Sequence, residues 1–137
     1  MEKSHFEQAR LWLVGAKDIA NNESEGSDKY SVATAMVIHA ILKANDALTT
    51  KLLEKTPKKH DEARKFFDEM IKKQFISAEY ANYSQTIQDA INNKSKAEYK
   101  VSFFSKKSYE DLERKGEKFL EMVKIKLLST SFAPHII

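Results

Sequence analysis

The stretch "YSVATAMVIHAILKANDALTTKLL" (30–53) contains no proline or glycine and no formal charge before Lys43. It predicts one long helix, about 36 Å at 1.5 Å per residue. Val32, Met36, Ile38, Ile41, Leu42 and Leu48 point around most of its circumference, and alanines fill the gaps. A helix that is apolar on nearly every side is contacted by neighbours on several sides, so it belongs inside a bundle. Its polar residues include His39, Asn45 and Asp46.

The rest of the chain supplies the neighbours. Residues 3–21 place Phe6, Ala9, Leu13, Ala16 and Ala20 at three- and four-residue spacing, with Trp12 and Ile19 beside them. "NNESEGSD" (21–28) reads as a loop in which Ser27 or Asp28 caps the long helix. Thr56 and Pro57 suit an N-cap and first-turn proline opening a third helix over 57–73, with Phe66, Phe67, Met70 and Ile71 as its core face. A fourth helix begins at Ser77 and weakens around Asn92 and Asn93. Ser105 or Ser108 caps a last helix whose apolar face is Leu112, Phe119, Met122, Val123 and Leu127. The expected fold is all-α, an up-and-down bundle of four to five helices. One domain covers 1–128, followed by an apolar tail, 129–137, that packs on the bundle or on a partner.

Composition agrees with one domain and excludes several chemistries. The chain has 137 residues, 42% of them hydrophobic, with three glycines, two prolines and no cysteine. Thiol chemistry and disulfides are excluded. No stretch approaches the roughly 20 apolar residues of a membrane span, and the charged N-terminus lacks a signal-peptide core. A cytoplasmic protein, not associated with a membrane, is expected. Net charge is +3, distributed unevenly: residues 1–50 hold 5 Lys/Arg against 7 Asp/Glu, and residues 94–126 hold 10 against 6. The second half therefore offers a mildly basic surface, although interleaved acidic residues make it read first as a solvated helix face.

No catalytic or metal motif is present. The four histidines are scattered, with no His-x-x-His or His-Glu-x-x-His pair, and no glycine-rich phosphate loop or Gly-x-Ser-x-Gly elbow occurs. No metal and no cofactor is expected. Two polar groups are candidates for a ligand site or cleft. His39 and Asp46 lie seven residues apart, two turns along one face, with Asn45 beside that face. A lone histidine there is more often a satisfied core residue. A buried aspartate two turns on needs a cation, water or a ligand, since an unpaired charge costs several kcal/mol. The second group is "NNKSKAEYK" (92–100), where Lys94, Lys96, Glu98 and Tyr99 cluster and Lys94 can pair with Glu98 at i, i+4.

In order and spacing, these segments resemble the HEPN family (higher eukaryotes and prokaryotes nucleotide-binding domains). "FEQARLWLVGAKDIA" resembles its first helix and "YSVATAMVIHAILKANDALT" its long second helix. "KKHDEARKFF" is similar to the start of its third. "NNKSKAEYK" followed by "SKKSYEDLERKGEKFLEMV" is similar to the last part of one prokaryotic subgroup. The resemblance spans about residues 4–128. It implies a dimeric helical bundle that binds a nucleotide, RNA or other nucleic acid, or a protein partner such as a minimal nucleotidyltransferase. It also implies that the His39 to Asp46 strip lines the bundle or the dimer seam.

The RNase members of the family carry arginine, four to six residues, then histidine. Here Lys94 and Tyr99 stand in those places, and none of Arg10, Arg64 and Arg114 precedes a histidine at that spacing. A tyrosine of ordinary pKa near 10 exchanges protons poorly at neutral pH. Lysine lacks the bidentate fork of arginine. The expected function is thus a non-enzymatic module. The alternatives are a metal-independent RNase or toxin component using Lys94 and Tyr99, and a structural adaptor that docks through its tail.

Overall fold

The computed structural model describes residues 2–59, 61–99 and 104–130, without the side chains of residues 95, 97–99 and 130. These residues form five α-helices and one 3-10 turn and no strand: α1 (Glu2–Ala20), α2 (Lys29–Leu53), α3 (Glu62–Lys72), the turn Ala78–Tyr80, α4 (Tyr83–Tyr99) and α5 (Lys106–Thr130). The protein is an all-α helical bundle. Among the described residues, no helix is long and apolar enough to cross a membrane.

The long helix α2 is the axis of the fold, as its composition predicts. Val37, Ile38, Ile41, Leu42 and Leu48 are buried, and so are Ala33, Ala40, Ala44 and Ala47. The alanines let neighbours approach closely, which is how one helix can be shared by all the others. α1 runs antiparallel to it, with Glu2 at Lys51 and Trp12 at His39. α5 runs alongside α2 in the same direction: Phe104 N–H donates to Ser31 Oγ (3.0 Å), and Gly116 faces Val37 and Ile41. A Cβ at Gly116 would lie 3.1 Å from Val37, so this glycine serves a close helix approach. α4 runs opposite to α5, with Tyr83 at Phe119 and Asp89 at Lys115. The four long helices thus alternate in direction, and short α3 lies in the α2–α4 connection against the second half of α2.

Several sequence expectations need correction. Pro57 does not open the third helix: residues 55–59 are not helical, and α3 begins at Glu62. The reason is local. The Glu62 carboxylate accepts hydrogen bonds from the backbone N–H groups of Lys58 and Lys59, both 3.1 Å, and holds the loop open ahead of the helix. Ser77 precedes only the 3-10 turn, and the fourth helix runs without a break through Asn92 and Asn93. The expected boundary at residue 128 falls inside α5, which continues to Thr130. His60 and residues 131–137, most of the apolar tail, lie outside the described residues.

One expected cap is present. Ser105 Oγ accepts the N–H of Ser108 at 3.0 Å, ahead of α5. Ser105→Ala should cost about 1 kcal/mol. That corresponds to a fall of roughly 3–5 °C in Tm for a domain of this size, read by circular dichroism. An unchanged Tm would mean the cap carries no stability.

Candidate functional site

The two residues that interrupt α2 on one face remain on one face in the fold. Core residues such as Val37, Ile41, Ala44 and Leu48 occupy the arc of α2 turned inward. At about 100° per residue, the opposite arc holds Val32, Ala35, His39, Lys43, Asp46, Thr50 and Leu53. Of these Val32 is exposed and the other six are half-buried. Val32, expected in the core, is instead 51% exposed. α1 covers one side of this strip. Trp12 stacks on the His39 ring with centroids 4.9 Å apart and planes 25° apart, a geometry in which each ring shields the other from water. Exposed Leu11 continues the apolar character along α1, and Gln8, Leu11 and Trp12 line a shallow hollow of about 300 Å³.

Asp46 is the electrostatic anomaly of this face. Burial pushes its carboxyl up to about 6, against the opposing attraction of Lys43. The charged form lacks the solvation it would have in water, and one lysine a turn away does not restore it. Across the helix pair, His5 on α1 has both ring nitrogens buried without a hydrogen-bond partner, and burial, then Lys43, lowers its pKa. Thr50 Oγ1 is likewise buried and unpaired. A protomer on its own therefore leaves several polar groups along this face poorly accommodated.

Asn45 lies off that face, although its Oδ1 is also buried without a hydrogen-bond partner. It is fully buried, and its Nδ2 donates to the Ala63 carbonyl at 2.9 Å, tying α2 to the first turn of α3. Its neighbour Thr49 donates to the Asn45 carbonyl at 2.9 Å. One residue along a helix turns the side chain by about 100°, enough to carry Asn45 from the solvent arc into the core. Its role is to fix where α3 docks.

The second candidate group divides differently. Lys94 is half-buried and Lys96 exposed on α4, far along the sequence from the His39 face, and the side chains of Glu98 and Tyr99 lie outside the described residues. Close to this stretch is a polar cleft of about 260 Å³ between α2, α4 and α5 that sequence reasoning missed. Asp89, Asn93, Ser108, Asp111 and Lys115 supply its polar lining. Lys115 Nζ lies 4.0 Å from Asp89, Asn93 Nδ2 donates to the Asp89 carbonyl at 2.8 Å, and Asp111 pairs with Arg114 at 3.0 Å. Each carboxylate faces its own cation, Asp89 the Lys115 ammonium and Asp111 the Arg114 guanidinium, so these four groups carry no excess positive charge to hold a phosphate. The spacing of Asp89 and Asn93, and of Asp111 and Lys115, is visible in the sequence, but the juxtaposition of the two helices is not.

A third feature is the groove between α1 and α5, a cavity of about 460 Å³ with Phe6, Leu13 and Leu120 at its base and Arg10, Lys118 and Lys124 at its rim. Lys17 bridges the same two helices by ion pairs to Glu113 and Glu117. In the polar cleft the hydroxyls are engaged away from the carboxylates: Thr34 Oγ1 donates to the Tyr30 carbonyl, and Ser108 Oγ accepts from Ser105 Oγ. Among the described residues, no three His, Cys, Asp or Glu side chains gather where a metal ion could be held. The arrangement with the strongest departures from ordinary surface chemistry is the α1/α2 face. No protein-family model and no curated protein matches the chain.

Proposed function

We infer that the protein is a non-enzymatic module of HEPN type that works by association, pairing with a second copy through the α1/α2 face. The observation that carries this reading is the Trp12–His39 stack beside exposed Leu11 and, on the same strip of α2, exposed Val32. Aromatic side chains with a polar partner, flanked by aliphatic ones, are the usual centre of a protein–protein contact. The orphaned polar groups around Asp46 fit the same reading, since a partner supplies what the lone protomer lacks. The Asp89–Asp111 cleft, whose two carboxylates are matched by Lys115 and Arg114, offers no excess positive charge to a nucleotide phosphate. In the resemblance, the minimal nucleotidyltransferase is a partner of this kind.

Sedimentation equilibrium of the purified chain tests the reading. The expected result is a reversible dimer in the micromolar range, weakened about tenfold or more by Trp12→Ala, the usual loss at an interface centre. A monomer at every concentration, or a dimer indifferent to Trp12, would overturn the α1/α2 assignment. Cleavage of labelled RNA by the protein would overturn the non-enzymatic part.

A further inference from the structure

The outward strip of α2 has an internal symmetry. Val32, His39, Asp46 and Leu53 recur every seven residues, and their midpoint falls between Leu42 and Lys43. Reversing the helix about that midpoint places Val32 on Leu53 and His39 on Asp46. Ala35 falls on Thr50, small on small. The order is apolar, base, acid, apolar, so a reversed copy presents a matching partner at each of these four positions. A parallel copy would instead set His39 against His39 and Asp46 against Asp46.

Resting on the self-association inferred above, we propose that two copies pack α2 against α2 in antiparallel fashion, about a twofold axis at Leu42–Lys43, so that His39 of each protomer meets the partner's Asp46. Such an interface is isologous: the same residues serve both chains, and each contact occurs twice. The seven-residue period drifts by about 20° per heptad on a straight helix, which two helices absorb by crossing at about 20°. Val32, exposed in the lone protomer, gains the partner's half-buried Leu53. The buried carboxyl of Asp46 gains an imidazole whose other face is already held by Trp12. Lys43 and its symmetry mate sit beside the axis, each one turn from its own Asp46, where the long side chain reaches outward to water. On the α1 side of the strip lies His5, whose pKa is lowered by burial and then by Lys43.

The chain has no cysteine, so single-cysteine variants report on register cleanly. Val32→Cys and Leu53→Cys protein, mixed and treated with a short bis-maleimide, should give a cross-linked pair. Val32→Cys alone should stay uncross-linked, because 21 residues separate positions 32 and 53, roughly 30 Å along the helix. His39→Asp should weaken the wild-type dimer about tenfold, and the reversed pair His39→Asp with Asp46→His should restore it to within about threefold. Cross-linking of Val32→Cys to itself, or a double variant no better than His39→Asp, would overturn the antiparallel register while leaving self-association intact. A wild-type monomer at all concentrations would overturn the association itself, and with it the register.

Discussion

Phe119→Ala should cost about 3–5 kcal/mol, the range for a fully buried phenylalanine cut back to a methyl group. Phe119 is fully buried on α5 and meets Phe67 of α3 edge-on, with ring centroids 6.1 Å apart and planes at 63°. The Tyr83 ring of α4 lies 5.5 Å away on another side. One side chain thus joins three helices, and its loss removes transfer energy, two ring–ring contacts and packing that its rigid neighbours cannot refill. Net stability of a domain is only about 5–15 kcal/mol, so this variant should lie close to unfolding. Urea denaturation should show a large drop in midpoint with little change in slope. Leu128→Ala, on the same helix but 59% exposed, should change stability by no more than about 0.5 kcal/mol. A loss below about 1 kcal/mol for Phe119→Ala would mean the three helices do not share that core.

Phe119, Phe67 and α2 illustrate what periodicity carries. Each lies on an apolar arc that repeats every three or four residues, and such arcs become buried whichever neighbours cover them. The His39–Asp46 face was legible for the same reason, since seven residues return to one side of a helix. Asn45 and Val32 were misassigned because a helical wheel places residues relative to one another without saying which arc meets solvent. On α2 the apolar residues nearly encircle the helix, so the wheel offers no contrast; only the packing of α1, α3, α4 and α5 leaves Val32 outside and draws Asn45 in. The start of α3 was missed because Glu62 bonds backward to the N–H groups of Lys58 and Lys59, a local interaction that overrides the preference of Pro57 for a first turn. The Asp89–Asp111 cleft needed residues 22 apart in sequence, on two different helices, to be set side by side, which no local signal encodes.

Asp46→Asn should stabilise the monomeric protein at pH 7 and remove a pH dependence that the wild type shows between about pH 4 and 6. The carboxyl is pushed up to about 6 from an ordinary 3.8, burial outweighing Lys43. The folded chain then binds a proton that the unfolded chain has released across that window. The contribution of Asp46 to stability is therefore greatest below about pH 4, falls as pH rises through about 6, and is level above it. A full two-unit shift corresponds to nearly 3 kcal/mol, and solvent screening of a half-buried group reduces this to about 1–2 kcal/mol. Urea denaturation of dilute protein at pH 4.5, 6 and 7.5 measures it, and parallel curves for wild type and Asp46→Asn would remove the effect. The same comparison at concentrations that favour the dimer separates the two roles of Asp46. A partner's His39 against the carboxylate lowers its pKa again, so the wild-type slope should flatten on association while Asp46→Asn, already flat, associates more weakly. A residue that weakens the lone protomer and strengthens the pair makes burial of this carboxylate a feature of recognition, with the cost of its desolvation offset only when the second α2 arrives.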